Sequence, residues 1–189
     1  MKLTSLAFPD IMVMTPKLFF DERGVFTETY NKRRLADLGI DVDFVQDNHA
    51  VSMRAGTVRG LHFQIPPFAQ DKLVRVLRGR ILDVVVDIRR GSPSFGKSVS
   101  VELSAEDWNQ IFVPKGYAHG LCTLEDGTEV LYKTSDFYSP ECERGILWND
   151  PDLGIDWPAG GAVASLSDKD RALPRLKDAR DLFAFAPDG

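Results

Sequence analysis

Alternation of apolar and polar side chains in the middle of the chain limits the fold more than any other feature of the sequence. Residues 72–78 read K-L-V-R-V-L-R, and residues 80–88 read R-I-L-D-V-V-V-D-I. A period of two residues is typical of β-strands that bury one face. Because Gly79 alone separates the two runs, and glycine favours turns, we expect them to form a β-hairpin.

Further strand patterns follow at close spacing. They lie at residues 98–103, 110–113, 120–124 and 129–135, with turn sequences such as G-S-P-S, P-K-G and E-D-G-T between them. Helical patterns are confined to residues 31–38 and 167–171, where Ser167 is placed to cap a first turn. Many short strands with little helix predict an all-β protein, a sandwich or a barrel.

The 189 residues are expected to form one domain, residues 1–189, because no repeat or long linker divides them. A chain of this length buries roughly 70% of its unfolded surface, so it requires neither disulfides nor a structural metal. The Pro/Gly-rich residues 157–161 separate the β-rich body from a C-terminal segment, residues 160–189, which we expect to be peripheral.

Charge and cysteine content restrict the partners and the location. The formal net charge of −5 argues against nucleic acid or an anionic membrane as partner, and no stretch approaches 18 apolar residues. Residues 54–80 nevertheless carry six basic side chains against one acidic one, which suits a small anionic ligand or, alternatively, a solvated strand face. Cys122 and Cys142 form no C-x-x-C pair, so we expect a cytoplasmic protein.

The three histidines lie in phrases rich in polar and turn residues. These phrases are Q-D-N-H at His49, R-G-L-H-F-Q at His62 and P-K-G-Y-A-H-G at His119. A lone histidine is usually structural, but three histidines at strand ends or turns of a β-rich chain favour a shared pocket.

A metal site is disfavoured by the residues that follow His62. The spacing around His62 and His119 resembles the two half-motifs of the cupin superfamily, small jelly-roll barrels that often hold a metal. Gln64 stands where a metal cupin has a second histidine, and the expected glutamate position falls at Phe68 or Ala69. Since catalytic metals normally need three protein ligands, we expect none here. Neutral imidazole, with a pKa of about 6.5, suits general-base chemistry instead.

Eight phrases, spread over nearly the whole chain, together resemble the dTDP-4-dehydrorhamnose 3,5-epimerases of deoxysugar biosynthesis. They are R-G-V-F-T-E-T-Y from Arg23, V-Q-D-N-H from Val45, V-R-G-L-H-F-Q from Val58, K-L-V-R-V from Lys72, V-P-K-G-Y-A-H-G from Val113, L-Y-K-T-S-D-F-Y-S-P from Leu131, I-L-W-N-D-P from Ile146 and S-D-K-D from Ser167. The resemblance implies an all-β cupin jelly-roll barrel with a few short helices, without metal or other cofactor, that inverts C3 and C5 of a dTDP-4-keto-6-deoxyhexose. It further implies a homodimer in which N-terminal strands are exchanged, so that the pocket around Arg23 and Glu28 comes from the neighbouring subunit.

The same resemblance implies a role for each matched residue. His62 is implied to be the base, held by the carboxylate of Asp170, and Tyr132 the acid on the opposite face of the sugar. Lys72 is implied to stabilise the enolate oxygen at C4, with His119 close by. The other implied substrate contacts are the diphosphate-binding Arg23 and Arg59, the thymine-stacking Tyr138, and Glu28, Gln46, Asn48, Glu143 and Lys169.

The chemistry explains why these residue types occur together. A base removes a proton beside a ketone only if the charge that appears on the carbonyl oxygen is stabilised, here by the cation of Lys72. Inversion must return a proton to the opposite face, which requires a second group, and a phenol such as Tyr132, with a pKa of about 10, is a donor at pH 7.

Three alternatives remain open from the sequence. A single-centre epimerase, acting at C3 or C5 of another deoxysugar, would use the same residues. A non-catalytic sugar-nucleotide-binding cupin would keep the basic patch without turnover. A metal-dependent cupin oxygenase or isomerase would use His62 and His119 as ligands, with help from His49 or Gln64.

Overall fold

The computed structural model describes residues 1–158 and 165–186, which are mostly strand. The strands are β1 (Lys2–Ser5), β2 (Met12–Thr15), β3 (Leu18–Asp21), β4 (Gly24–Thr27), β5 (Gln46–Ser52), β6 (Val58–Gln64), β7 (Lys72–Arg78), β8 (Arg80–Asp87), β9 (Ser98–Ser104), β10 (Gln110–Val113), β11 (Tyr117–Thr123), β12 (Thr128–Thr134) and β13 (Glu143–Gly145). The helices are α1 (Lys32–Ala36), α2 (Asp168–Arg171) and a 3-10 helix at Leu176–Asp178. The all-β prediction is confirmed. None of the helices in the described residues has the length and apolar character needed to span a membrane.

Most strands belong to two antiparallel sheets. The six-stranded sheet has the order β1-β2-β10-β7-β12-β5, and the five-stranded sheet has the order β13-β6-β11-β8-β9. One buried cluster takes side chains from both, including Val74 and Val130 of the six-stranded sheet and Ile81, Val85 and Leu121 of the five-stranded sheet. The two sheets therefore enclose a common apolar core.

The predicted hairpin between residues 72–78 and 80–88 is wrong. β7 pairs with β10 and β12, whereas β8 pairs with β9 and β11 in the other sheet. Gly79, with φ of +74°, turns the chain from one sheet to the other. One residue is fewer than the two that the favoured hairpin turns require. Consecutive strands thus lie on opposite walls of the core.

The other strand predictions hold, except around the histidines. β9, β10 and β12 end within one residue of the predicted ranges, but β11 begins at Tyr117 instead of residue 120 because all its residues are buried and it shows no alternation. β5 is polar and β6 is interrupted by Gly60, so neither was predicted. His49, His62 and His119 consequently lie within strands and not at strand ends or turns.

Both predicted helices form, with side-chain caps. Asn31 Oδ1 accepts the backbone N–H of Arg34 at 3.2 Å, and Ser167 Oγ accepts the backbone N–H of Asp170 at 3.1 Å. Such caps satisfy N–H groups that lack a partner in a helical first turn. The second cap fixes the start of α2, the helix that carries Asp170.

The described part of the C-terminal segment packs through a few apolar side chains against the outside of the five-stranded sheet. Leu166 and Leu176 are buried in a second apolar cluster with Val84 and Val86 of β8. These residues cover the outer face of the five-stranded sheet, which would otherwise expose apolar side chains to water. Residues 159–161 of the predicted boundary, and residues 160–164 and 187–189 of the segment, lie outside the described residues.

β3 and β4 form a separate two-stranded sheet that is exposed in the single chain. Within the described residues they pair only with each other. Phe20 is 75% exposed and Phe26 is 71% exposed. Contiguous exposed aromatic side chains commonly mark a surface that another molecule covers.

Candidate active site

A cavity of about 440 Å³, here called the larger cavity, lies between the two sheets. His62 and His119 line it from the five-stranded sheet, and Lys72 and Tyr132 line it from the six-stranded sheet. A smaller cavity of about 120 Å³ adjoins it and shares His62, Lys72 and Tyr132. The other predicted residues on these walls are Arg59, Lys169 and Asp170 in the larger cavity and Gln46, Asn48, Tyr138 and Glu143 in the smaller one.

His62 is backed by a buried carboxylate. Its Nε2–H donates to Asp170 Oδ1 at 2.8 Å, and the other oxygen of Asp170 accepts the backbone N–H of Gly60 at 3.2 Å. Burial alone would raise the pKa of Asp170, but the hydrogen bond and the charge of His62 outweigh it and lower the pKa below its ordinary value. An ionised carboxylate fixes the tautomer of the imidazole and stabilises the imidazolium that forms when the ring takes up a proton.

A close contact between strands brings the two histidines together. Gly60 has φ of +118°, and a Cβ atom there would lie 2.7 Å from the Cα of Gly120. Only glycine accepts such a backbone conformation and approach without strain. β6 and β11 therefore meet here, with a shift of register after His119, and His62 lies directly opposite His119 in the ladder.

Lys72 stands on the wall opposite His62. Its Nζ donates to the backbone carbonyl of His62 at 3.4 Å. Burial lowers the pKa of Lys72 to about 8, while the negative charges of Asp83 and Glu143 oppose this shift. The side chain is thus mainly an ammonium ion at pH 7, in surroundings where a charge acts strongly because water is scarce.

Tyr132 belongs to β12, beside Lys72 on the six-stranded wall. In the ladder it lies opposite Val74 of β7 and Asn48 of β5. Burial raises the pKa of Tyr132, and the positive charge of Arg59 only partly offsets this effect. The phenol is therefore protonated at neutral pH and able to donate.

His119 has a carboxylate partner of its own. Its Nε2–H donates to Asp83 Oδ2 at 2.8 Å, and Asp83 is fully buried in β8. Asp83 was not among the predicted site residues, although an acidic residue inside the apolar run I-L-D-V-V-V was a signal of an interior polar group.

Glu143, which lines the smaller cavity, forms a hydrogen-bonded group with Tyr138 and Lys169. Tyr138 donates to one oxygen of Glu143 at 2.8 Å, and Lys169 donates to the other at 2.6 Å. Burial would raise the pKa of Glu143, but these two donors outweigh it and lower the pKa. Gln46 Oε1 accepts the backbone N–H of Tyr138 at 3.1 Å, and Gln46 Nε2–H donates to Asn48 Oδ1 at 3.0 Å. The ring of Tyr138 remains half exposed at the mouth.

Two of the predicted residues are not brought to these cavities within the chain. Arg23 is exposed on the turn between β3 and β4, where it forms an ion pair with Asp21. Glu28 forms an ion pair with Arg34 at 3.0 Å and accepts a hydrogen bond from Asn31 Nδ2 at 3.1 Å. Neither Arg23 nor Glu28 lines the larger or the smaller cavity.

Gln64 and His49, the residues that would assist His62 and His119 in the metal alternative, are bonded to other groups. The amide of Gln64 donates to the carbonyls of Phe68 and Phe137, and its oxygen accepts the N–H of Ser139. His49 is exposed on β5, where it pairs with Glu129. Among residues 1–158 and 165–186, no three His, Cys, Asp or Glu side chains form a group that could bind a metal ion.

A carboxylate-backed imidazole that faces a phenol and a buried ammonium across an interior cavity defines an all-β enzyme of proton transfer. Comparison with known proteins makes this specific. The profile of the dTDP-4-dehydrorhamnose 3,5-epimerase family matches residues 5–178, and the chain belongs to this family. It is thus an isomerase of the epimerase type.

Individual relatives match over almost their whole length. A dTDP-4-dehydrorhamnose 3,5-epimerase of Pseudomonas aeruginosa is 52% identical over 95% of this chain and 98% of its own. The crystal structure of the Bacillus anthracis enzyme with TDP and PPi bound is 50% identical, with a TM-score of 0.87 over 92% of this chain and 98% of that one. A Legionella pneumophila dTDP-6-deoxy-D-glucose-3,5-epimerase in complex with dTDP-4-keto-L-rhamnose is 42% identical, with a TM-score of 0.93 over 98% and 99%.

Proposed function

We propose that this protein epimerises dTDP-4-dehydro-6-deoxy-D-glucose at C3 and C5, giving dTDP-4-dehydro-L-rhamnose for dTDP-L-rhamnose biosynthesis. The observation that carries the proposal is the placement of His62 and Tyr132 on opposing sheets across one cavity. The relatives named above support the substrate, since one of them binds dTDP-4-keto-L-rhamnose.

His62 acts first, as the general base. Its ring is oriented through Nε2 by Asp170, which leaves Nδ1 free to take the proton from C3 or C5 of the sugar. The imidazolium that results is stabilised by the ionised carboxylate behind it. The C–H electron pair forms a double bond between that carbon and C4 of the sugar, and the carbonyl electron pair leaves a negative charge on the oxygen at C4.

Lys72 stabilises that charge. An ammonium ion in a water-poor cavity interacts with an enolate oxygen far more strongly than it would in bulk water. Because the charge is present only after proton removal, this interaction favours the transition state over the bound ketone and so raises the rate.

Tyr132 completes the inversion. Its phenol delivers a proton to the face of the carbon opposite His62, and the enolate electron pair forms the new C–H bond. The tyrosinate then regains a proton from solvent and the imidazolium releases one, so that enzyme and overall proton count are restored. The same cycle at the second carbon gives the doubly inverted product.

The remaining polar residues anchor the nucleotide. Arg59 supplies a guanidinium to the diphosphate, held by Ser52 Oγ at 3.2 Å and the carbonyl of Val51 at 3.3 Å. Tyr138 stacks on the thymine, and further contacts come from Glu28, Gln46, Asn48, His119, Glu143 and Lys169. Planar guanidinium groups suit phosphate oxygens, and binding energy from this remote part positions the sugar.

We further propose a single cupin-type jelly-roll domain that works as a homodimer. β1 and β2 pair within the chain's own six-stranded sheet, so the exchanged part is confined to β3, β4 and the residues leading to Glu28. Covering the exposed Phe20 and Phe26 with the partner stabilises the assembly through burial of apolar surface. Arg23 would then enter the neighbouring subunit's site, as its exposure permits.

A mixing experiment tests this sharing of residues. Arg23→Ala and His62→Ala should each be nearly inactive. Refolded together from equal amounts, they should recover about a quarter of wild-type activity, because half of the dimers are mixed and each mixed dimer has one of two sites intact. Mixing that restores no activity, with dimers present by size-exclusion chromatography, would show that Arg23 acts within its own chain.

The protein is proposed to act in the cytoplasm and to need no cofactor. Cys122 and Cys142 are free and buried, which suits the reducing cytoplasm. Partners are the dTDP-sugar and a second copy of the chain, with neither nucleic acid nor membrane involved.

Proton NMR of dTDP-4-keto-6-deoxyglucose with the wild-type protein in D₂O tests the function. We expect solvent deuterium at both C3 and C5, with signals of the L-rhamno product. Exchange at only one carbon would replace the double epimerase with the single-centre alternative, and no exchange at either carbon would contradict catalysis altogether.

A further inference from the structure

Asp83 is a buried carboxylate that the reaction as described does not use. It lies in β8 on the same side as Ile81 and Val85, which belong to the core between the sheets, and it is fully buried. Oδ2 accepts the Nε2–H of His119 at 2.8 Å. Oδ1 has no hydrogen-bond partner among the described residues.

This arrangement is costly for a residue with a structural role alone. A buried carboxylate is stabilised when hydrogen bonds or opposite charges meet both oxygens, and it destabilises the fold when one oxygen is left without a partner. Asp87, on the same strand, illustrates the satisfied case, because it accepts from Arg89, Ser92 and Ser94. Asp83 thus has one oxygen bonded to His119, which lines the larger cavity, and one oxygen without a partner among the described residues.

We propose that Asp83 is a positioning residue for the epimerisation: it fixes the His119 ring so that Nδ1 faces the substrate. The inference rests on the proposed function. The Asp83–His119 pair repeats, on the adjacent strand, the carboxylate–imidazole arrangement of Asp170 and His62. The first pair moves a proton, and the second orients a further imidazole on the same wall of the cavity.

The charges around Lys72 give the proposal a pH signature. Two negative charges act on Lys72, those of Asp83 on β8 and Glu143 on β13. The other titratable or charged groups that line the larger cavity with it are His62 and Arg59 on β6, His119 on β11, Tyr132 on β12, and Lys169 and Asp170 on α2. Burial lowers the pKa of Lys72 to about 8, and Asp83 and Glu143 hold it from falling further. Since a negative charge favours the ammonium ion, removing Asp83 lowers the pKa of Lys72. The alkaline loss of kcat/KM then begins at lower pH.

The variant Asp83→Asn separates charge from shape. The amide oxygen still accepts the Nε2–H of His119, but the negative charge is gone. We expect kcat/KM to fall about 10- to 100-fold, as is typical of carboxylates that orient functional imidazoles. We also expect the alkaline limb to move to lower pH, with a melting temperature unchanged or higher.

Asp87→Asn is the matched control, since Asp87 is also fully buried in β8 but lines neither cavity. It should lower the melting temperature and leave the pH profile of kcat/KM unchanged. Asp83→Asn with wild-type kcat/KM and an unshifted limb would overturn the proposal. The proposal would also be overturned if Asp83→Asn lost activity only together with a lower melting temperature, while the alkaline limb of its pH profile stayed unshifted.

A measurement on the wild-type protein tests the proposal without requiring that any variant folds. Nitrogen-15 NMR of the His119 ring should show Nε2 protonated from pH 6 to 9, and an unprotonated Nε2 would overturn the proposal. The D₂O assay on the same wild-type sample reports the proposed function separately. Exchange at C3 and C5 together with an unprotonated His119 Nε2 would therefore reject the role of Asp83 and leave the epimerase intact.

Discussion

Replacing His62 with alanine is expected to reduce deuterium incorporation at both C3 and C5 by at least about 10²-fold, the lower end of the effect of a general base. The reason is that no imidazole remains to accept the proton from C3 or C5, while the rest of the cavity stays in place. His62 is largely shielded from solvent and bonded to Asp170, so the variant also leaves that carboxylate without its imidazole partner. The measurement is proton NMR of the substrate in D₂O, with exchange followed separately at each carbon.

His49→Ala is the matched control for His62→Ala. His49 also carries a carboxylate partner, Glu129 at 3.2 Å, but its side chain is 46% exposed on β5. Because it lines neither cavity, we expect wild-type exchange. Exchange in His62→Ala that stays within a few-fold of wild type would show that another group removes the proton. Loss of activity in His49→Ala would revive the metal alternative, in which His49 assists.

Tyr132→Phe should separate exchange from inversion. The base can still remove a proton and return a deuteron to the same face, but no group delivers one to the opposite face. We expect the rate of inversion to fall about 10²- to 10⁴-fold, as for loss of a general acid. Deuterium incorporation with retained configuration should fall much less. The ring of Tyr132 packs against the core between the sheets, and phenylalanine preserves that packing.

Tyr30→Phe serves as the control for the tyrosine. Tyr30 packs edge-on against Phe44, with ring centroids 5.8 Å apart, outside both cavities. Its variant should invert C3 and C5 at the wild-type rate. If exchange and inversion fall together in Tyr132→Phe, the phenol does not provide the opposite-face proton, and the assignment of the acid is wrong.

Local pattern predicted strands well and their partners poorly. The alternation in residues 72–88 reports which side chains are buried, and both β7 and β8 form. The alternation does not indicate which strand each one pairs with. It reports the burial of side chains, whereas pairing depends on backbone groups at the strand edges. The single residue Gly79 was therefore interpreted as a hairpin turn, although it marks a corner between sheets.

The catalytic residues were accessible from the sequence to different degrees. Lys72 and Tyr132 stand in strands that the alternation predicts, whereas His62 stands in a strand that it does not predict. Asp170 lies 108 residues from His62 and is brought to it only by packing of α2. The family resemblance, and no local signal, pointed to it. Asp83 was not predicted, because an alternating pattern indicates which side chains are buried and not what a buried carboxylate contacts.

Arg23 and Glu28 lie away from both cavities within the single chain. Their residue types suit a sugar nucleotide, yet the chain leaves Arg23 on an exposed hairpin with Asp21 as its partner. Whether such a side chain reaches a site is decided by assembly, which depends on the aromatic surface of β3 and β4 being covered.

A crystal structure with a dTDP-hexose bound tests the central claim most directly. We expect the hexose ring between the imidazole of His62 and the phenol of Tyr132, one on each face, with Lys72 Nζ at hydrogen-bond distance from the oxygen on C4. Both side chains on one face of the ring, or a sugar bound outside the larger cavity, would contradict the account.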